Sequence, residues 1–139
     1  MIQRLQSVYL LAAGIFAALT YKFPFYTGNI TNKENVQRFE SLTASSNFLL
    51  LVFTAGLTAG TLIIIFLYKN RKQQLWITLA AAALAVINLV FYFSGMKNFT
   101  SGNISLTAVL ALAIPVLLLL AARGIWKDEK LVKSLDRLR

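Results

Sequence analysis

Apolar and polar segments alternate along the chain. Four apolar segments cover about residues 5–23, 48–68, 75–93 and 106–122, and no charged residue lies in the middle of any of them. A helix needs roughly 20 apolar residues to cross a hydrocarbon core of about 30 Å. The pattern therefore predicts an all-α integral membrane protein, a four-helix transmembrane bundle formed by a single domain over residues 1–139.

The first apolar segment is open to a second interpretation. Arg4 precedes an apolar stretch that contains the small residues Ala17 and Ala18, as in a secretory signal peptide. However, the segment is about as long as a full span, and the sequence from Tyr21 to Pro24 is a poor site for cleavage. We therefore expect this helix to be retained.

The composition favours a lipid environment. Hydrophobic residues make up 58% of the 139 residues, and the mean hydropathy is +0.66. A soluble chain of this size has too little interior to bury so much apolar surface. The formal net charge of +9 would suggest nucleic acid as the partner of a soluble domain, but in a membrane protein the position of the charges matters first.

The basic residues are unevenly distributed, and this asymmetry predicts the orientation. Four of the fourteen Lys and Arg residues lie on one side of the spans, namely Lys22, Lys33, Arg38 and Lys97. The other ten lie in the N-terminus, the turn after the second span and the C-terminal tail, and the positive-inside rule places them in the cytoplasm. We therefore expect a multi-pass protein with both termini inside, an outer loop over residues 24–46 and a cytoplasmic tail over residues 123–139.

Residue types that carry much enzyme and metal chemistry are absent. The chain has no Cys and no His, which excludes disulfides, thiol nucleophiles, Cys-based zinc sites and the usual general base. Two of the five acidic residues lie in the outer loop and three in the tail, where Asp128 and Glu129 have basic neighbours typical of a solvated helix turn. We therefore predict that the protein is not an enzyme and that it has no catalytic residue, no metal site and no cofactor.

Three residues within the spans are candidates for helix packing. Asn88 lies in the third span, where a carboxamide needs a hydrogen-bond partner, which we expect on a neighbouring helix rather than on a ligand. Gly56 and Gly60 form a GxxxG pair in the second span, and small residues one turn apart let two helices approach closely. We expect this pair to pack within the bundle, with a homodimer contact as the alternative.

The first outer loop is the longest. Pro24 and Gly28 interrupt regular structure, and residues 35–42 (NVQRFESL) are predicted to form one or two helical turns at the membrane interface. The loop is long enough to cover the outer ends of the helices or to contact a partner.

The tail, which ends in WKDEKLVKSLDRLR, is predicted to be an amphipathic helix. Leu131, Leu135 and Leu138 form an apolar face, and Glu129 and Lys133 form a favourable i, i+4 pair. Such a basic helix next to a span is expected at the headgroups of an anionic inner leaflet. Two roles stay open for it, a lipid anchor and a docking surface for a protein. Nucleic acid is not expected, because no aromatic pattern is interleaved with the basic residues.

The two ends of the chain resemble a known family. The starting MIQRLQSVYLLAA and the final RGIWKDEKLVKSLDRLR are similar to domain-of-unknown-function family 4293, small Bacteroidota membrane proteins with four predicted spans, a start close to MIQRIQ and a tail close to KDExLVxSxDRLR. The resemblance implies a bacterial cytoplasmic membrane protein with both termini inside, and it brings no activity, cofactor or catalytic residue. The matched tail residues exceed what a positive charge requires, which places a specific docking site on an equal footing with a lipid anchor. They are Lys127, Asp128, Glu129, Leu131, Val132, Ser134, Asp136, Arg137, Leu138 and Arg139.

We therefore predict a non-enzymatic small subunit, or an assembly or interaction factor, of a membrane complex. The basic residues predicted to contact a partner or lipid headgroups are Lys69, Arg71, Lys72, Lys127, Lys130, Lys133, Arg137 and Arg139. The expected partners are lipids of the anionic inner leaflet and a protein or a second copy of the chain. The alternative is a small oligomeric channel or carrier for a small molecule or lipid, which a polar cavity around Asn88 would favour. A membrane enzyme ranks third and would need a lipid-like substrate near Asp128, Glu129 or Ser134.

Overall fold

The computed structural model describes residues 3–31 and 36–136, which form four helices and three short strands. The helices are α1 (Gln3–Leu19), α2 (Phe48–Phe66), α3 (Arg71–Met96) and α4 (Ala108–Asp136). The strands are β1 (Tyr26–Thr31), β2 (Gln37–Leu42) and β3 (Ser101–Ile104).

Three helices have the length and composition of membrane spans. α2, α3 and α4 are each long and apolar enough to cross a bilayer, whereas α1 is a shorter apolar helix. Each helix falls on one of the four predicted apolar segments, since long apolar runs satisfy their backbone hydrogen bonds internally when they are helical. The chain is therefore a mostly helical membrane protein.

The four helices pack side by side. Each packs mainly against two neighbours, in the order α1, α2, α3, α4 and back to α1. The core between them contains many alanines, such as Ala13, Ala82 and Ala121, which let helix backbones approach closely. Gly14 has the same effect, because a Cβ atom there would lie 2.6 Å from Thr61 Oγ1 on α2.

The expected packing of Gly56 and Gly60 within the bundle is wrong. A Cβ atom on either glycine would meet no heavy atom within 4 Å among the described residues. The reason is the helical phase, since the buried face of α2 carries Thr54, Leu57 and Thr61, and the two glycines fall outside it. The homodimer contact at this pair stays a prediction.

A small antiparallel sheet lies at one end of the bundle, so the expectation of an all-α fold is wrong in this part. β1 is the central strand and pairs with β2 on one edge and with β3 on the other. The helical turns predicted over residues 35–42 are also wrong, because Gln37–Leu42 forms β2. A strand of this kind depends on its paired neighbours more than on its own sequence, so the local pattern did not reveal it.

Two glycines allow the strands of the sheet to approach closely. Gly28 of β1 and Gly102 of β3 are directly paired. A Cβ atom on Gly28 would clash with the carbonyl oxygen of Ser101, and one on Gly102 would clash with that of Thr27. The β1–β3 contact therefore requires glycine at both positions.

An aromatic cluster fixes the sheet to the helices. Phe25, just before β1, is buried and stacks on Tyr92 of α3 with ring centroids 4.7 Å apart. Phe93 meets the Phe25 ring edge-on at 5.6 Å. Leu42 of β2 and Leu50 of α2 pack in the same cluster. We call the three strands and this cluster the sheet end.

The tail is not a separate helix. α4 continues without interruption from Ala108 to Asp136, and its 29 residues extend about 43 Å at 1.5 Å per residue. This length exceeds the roughly 30 Å that a helix needs to cross a hydrocarbon core. Leu131 and Leu135 of the predicted apolar face are exposed, and Leu138 lies outside the described residues.

Within this part of α4, the predicted pair between Glu129 and Lys133 is confirmed. The Nζ atom of Lys133 lies 2.7 Å from Oε1 of Glu129. The lysine side chain is mostly exposed, so the pair contributes little to stability and mainly orients the glutamate.

Candidate functional site

The end of the bundle opposite the sheet brings together the start of α1, the turn between α2 and α3, and the last turns of α4. We call it the charged end. At its centre, Gln6 Nε2 donates a hydrogen bond of 2.6 Å to Asp128 Oδ2, although the two residues are 122 positions apart. Both residues are only 6% exposed, and Asp128 is the one buried charged residue among those whose exposure the structure describes. The two terminal motifs of the sequence therefore meet in space.

Gly124 makes room for this hydrogen bond. It lies one turn before Asp128 on α4, where a Cβ atom would be 2.7 Å from Cγ of Gln6. The absence of a side chain lets α1 and α4 approach closely at this level. Gln6 consequently passes over the glycine and reaches the carboxylate.

Two residues at the start of α3 complete the cluster. Arg71 Nη1 lies 3.9 Å from Asp128 Oδ2, which is an ion pair beyond hydrogen-bond distance. Gln74 is buried and donates from Nε2 to the carbonyl oxygen of Ile64 at 3.1 Å, which ties the start of α3 to the end of α2. The buried carboxylate thus has an amide donor and a nearby guanidinium, and a buried charge without such partners would be costly.

The expectation that Asp128 and Glu129 form a solvated helix turn is wrong for Asp128. Asp128 follows the buried Ile125 by three residues, so it lies on the buried face of α4. Gln6 likewise precedes the buried Leu10 by four residues. The sequence did contain a signal for this buried pair, because Gln6 and Asp128 are polar residues at positions that the helical repeat places in the core.

A basic cleft lies between the last turns of α4 and the turn that joins α2 to α3. Its volume is about 590 Å³, and four predicted contact residues line it: Lys69, Arg71, Lys72 and Lys133. Glu129 also lines the cleft, and Lys133 balances its charge. Arg71 is shared with Asp128, so Lys69 and Lys72 supply most of the excess positive charge. We call this cavity the basic cleft.

Two further predicted contact residues, Lys127 and Lys130, do not line the basic cleft. Lys127 is exposed on α4. Lys130 Nζ lies 5.8 Å from the ring centroid of Trp126, which is a cation–π geometry, and both residues line a neighbouring groove of about 250 Å³. Arg137 and Arg139 lie outside the described residues.

Asn88 lies on α3 one turn before Tyr92, near the sheet end. Its Nδ2 atom donates to Thr54 Oγ1 on α2 at 3.1 Å, and the residue is 4% exposed. Its Oδ1 atom is buried and has no hydrogen-bond partner within the described part of the chain. Asn88 therefore links two helices far from the basic cleft.

The chemistry of the charged end is that of cations and amides. Within residues 3–31 and 36–136, no three acidic side chains lie close enough together to hold a metal ion. Guanidinium and ammonium groups bind anions such as carboxylates and phosphates through charge-assisted hydrogen bonds. The basic cleft is therefore suited to an anionic group.

Comparison with known proteins identifies the family. A family model matches residues 2–138, and its description is Domain of unknown function (DUF4293). The chain belongs to this family, and the match includes both terminal motifs that meet at the charged end. Searches of the curated proteins and of the solved structures gave no match.

Proposed function

We propose that this member of the DUF4293 family is a non-enzymatic subunit or assembly factor of a larger membrane complex, and that its basic cleft docks an acidic segment of a partner protein. The observation that carries the proposal is the construction of the cleft from two distant segments, residues 69–73 and 129–133. Arg71 offers paired donors that fit a carboxylate, and Lys69 and Lys72 add positive charge.

The buried Asp128 supports this proposal because its ion pair with Arg71 joins the two walls of the cleft, and its hydrogen bond from Gln6 fixes the position of the carboxylate. Asp128 precedes Glu129 on one wall and contacts Arg71 on the other. Attraction of lipid headgroups needs positive charge near the membrane surface but no fixed walls. A cleft with walls held by buried polar groups favours a specific partner.

The proposal includes a four-helix transmembrane bundle in a bacterial cytoplasmic membrane. α1 has 17 residues, or about 26 Å, and backbone hydrogen bonds of helical spacing continue as far as the amide of Phe23. α1 also packs against both α2 and α4, which are long enough to span. We therefore propose α1 as the fourth span and place the charged end in the cytoplasm, as the positive-inside rule favours.

We propose no catalytic role for the charged end. The carboxylate of Asp128 accepts a hydrogen bond from Gln6 and faces Arg71, so the fold itself uses it. Ser134 donates to the carbonyl oxygen of Leu131 at 2.7 Å. These contacts favour a structural role for two of the residues that a membrane enzyme would use.

The alternative proposal, a small oligomeric channel or carrier, ranks second. It would use a polar cavity around Asn88. The amide of Asn88 is 4% exposed and donates to Thr54, which favours helix packing at this position.

The experiment is photocrosslinking from within the basic cleft. A photoreactive phenylalanine analogue replaces Val132, which lines the cleft, and crosslinked peptides from intact cells are identified by mass spectrometry. The control places the same analogue at Phe39, an exposed position of the sheet end. We expect one defined protein to be crosslinked from position 132 through a segment rich in Asp and Glu, and not from position 39.

A charge variant makes the test decisive. Lys69→Gln combined with Lys72→Gln should reduce the crosslink from position 132 by about tenfold, which corresponds to roughly 1.4 kcal/mol of binding free energy. Lys22→Gln combined with Lys97→Gln removes the same charge from the opposite end and should leave the crosslink unchanged. The docking proposal is wrong if both variants give the same yield, or if position 132 crosslinks only lipid and second copies of the chain.

A further inference from the structure

A second cavity at the charged end lies between α1 and the α2–α3 hairpin, and Arg71 lines both this cavity and the basic cleft. Its volume is about 470 Å³, within the usual range for small-molecule sites. Val8 and Tyr68 on its wall are both more than half exposed, so the cavity opens to the outside of the bundle. We call it the lateral cavity.

The lining of the lateral cavity has a polar part and an apolar part. Gln6, Arg71 and Gln74 form the polar part, and Val8 and Ile65 form the apolar part. The apolar part is continuous with the side of the bundle, where α1 exposes further aliphatic side chains. This division matches an amphiphile with a polar head and a hydrocarbon chain.

Among the described residues, Arg71 has free hydrogen-bond donors, which indicate that the polar head of the amphiphile is negatively charged. Its distance of 3.9 Å from Asp128 is longer than the 2.7–2.9 Å typical of a charge-assisted hydrogen bond. Asp128 instead accepts its short hydrogen bond from Gln6. The guanidinium carries five donors in a planar fork, so it retains donors for a phosphate group beside the carboxylate.

The position of the cavity matches the depth of a lipid headgroup. Trp76 and Trp126 lie at the charged end and are more than half exposed, and tryptophan favours the membrane–water interface. Arg71 precedes Trp76 by five residues at the start of α3, on the side away from the hydrocarbon core. Ile65 lies before the turn and therefore at hydrocarbon depth.

We propose that the lateral cavity binds one anionic phospholipid, with the phosphate on Arg71 and an acyl chain along Val8 and Ile65. A phosphate diester is the recognised group, and the apolar wall selects the lipid over a soluble phosphate. Lys69 and Lys72, close to Arg71 in the sequence, disfavour a headgroup that carries its own cation, such as choline. This site shares Arg71 with the basic cleft, whereas Val8 and Ile65 line the lateral cavity and not the basic cleft, so substitutions at these two residues test the lipid site separately from protein docking.

The experiment measures lipid binding to the purified full chain by native mass spectrometry. Delipidated protein in detergent is titrated with phosphatidylglycerol, with phosphatidylcholine, and with soluble glycerophosphoglycerol. We expect one phosphatidylglycerol per chain, bound about tenfold more tightly than phosphatidylcholine, because both lipids carry the phosphate diester but choline adds a cation that the nearby basic residues repel. Soluble glycerophosphoglycerol should not displace it at equal concentration.

Matched variants test whether the lipid binds in the lateral cavity. Ile65→Trp fills the apolar wall, and Arg71→Gln removes the cation, so each should weaken phosphatidylglycerol binding by about tenfold. The control Ile63→Trp lies on the exposed face of the same helix, and Lys127→Gln removes an exposed cation outside the cavity. Both controls should bind as the wild type does.

A second variant guards against a folding defect. Val8→Trp fills the same wall from α1, and each variant is accepted only if its circular dichroism and elution volume match the wild type. The proposal is overturned if Ile65→Trp and Val8→Trp, both folded, bind phosphatidylglycerol normally, or if Lys127→Gln weakens binding as much as Arg71→Gln does. It is also overturned if the soluble headgroup competes as well as the lipid, because the site would then bind free phosphate diesters.

Discussion

The two ends of the bundle are closed by different kinds of contact. At the sheet end, long connections between helices form a backbone ladder, and buried aromatic rings fix this ladder to α3. At the charged end, the connection between α2 and α3 is only a short turn, and side chains join helices from opposite ends of the sequence. Where the loops are long the backbone supplies the hydrogen bonds, and where they are short the side chains supply them.

The difference also separates structural roles from candidate functional ones. Apart from the buried hydroxyl of Tyr92, the aromatic cluster of the sheet end is apolar, so it stabilises the fold mainly through the apolar area that it removes from solvent. The polar cluster of the charged end adjoins two open cavities lined by cations. Substitutions at the two ends should therefore differ in how much stability they remove, and only those at the charged end should also affect the two cavities.

The largest loss of stability is expected from Phe25→Ala at the sheet end. Removing this buried ring from its contacts with Tyr92 and Phe93 leaves a cavity, and such substitutions cost about 3–5 kcal/mol. Unfolding by sodium dodecyl sulfate in mixed micelles, followed by circular dichroism, measures the change. Phe48→Ala is the control, because Phe48 is exposed and its loss should cost much less. Equal effects of the two substitutions would show that the aromatic cluster does not hold the sheet end.

The next largest loss is expected from Gln6→Ala at the charged end. It removes the short hydrogen bond to the buried carboxylate of Asp128, and hydrogen bonds to charged groups contribute about 1.5–3 kcal/mol. The same unfolding measurement applies, with Gln73→Ala as an exposed control. In a double-mutant cycle with Asp128→Ala, the two losses should not add. Additive losses would contradict a direct interaction between the two side chains.

A smaller effect is expected from Asn88→Ala. Its hydrogen bond to Thr54 is neutral and lies among the spans, where interhelical hydrogen bonds average about 0.6 kcal/mol. Comparison with Gln6→Ala therefore tests whether charge makes the contact at the charged end stronger. Asn98→Ala, an exposed position after α3, is the control. A loss at Asn88 as large as that at Gln6 would contradict this comparison.

The smallest effect is expected from Glu129→Gln. Its pair with Lys133 is at the surface of α4, and i, i+4 pairs contribute about 0.2–0.5 kcal/mol. The difference from the wild type should disappear in about 1 M salt, where the screening length is roughly 3 Å. A loss that persists in high salt would show that Glu129 acts through packing in the basic cleft rather than through charge.

The helices were predictable from the sequence because their signal is local. Apolar segments of span length are visible in the residue pattern, and each became a helix. β2 was not predictable in this way, because its two apolar residues, Phe39 and Leu42, are three positions apart, which is a helical spacing and not the alternation of a strand. The packing of Gly56 and Gly60 was predicted wrongly, although the GxxxG spacing was read correctly. This spacing identifies a face that allows close packing but does not indicate whether that face points to the core.

The candidate site was partly predictable. The cations of the α2–α3 turn and of α4 were identified by their charge, and four of them line one cleft. The missed residues, Gln6 and Asp128, are polar side chains at core positions of the helical repeat. The charge of Asp128 suggests an exposed side chain. Its position in the helical repeat of α4 predicts a buried one.

The separation between Gln6 and Asp128 has a consequence for the biosynthesis of the protein. Chains are made from the N-terminus at roughly 5–20 residues per second, and the acceptor lies 122 residues after the donor, so Gln6 waits on the order of 10 s for its partner. α1 is therefore synthesised long before α4 exists. A chain that stops short of Asp128 lacks the carboxylate that accepts this hydrogen bond, so the buried amide of Gln6 loses its partner and the contact between α1 and α4 is left incomplete.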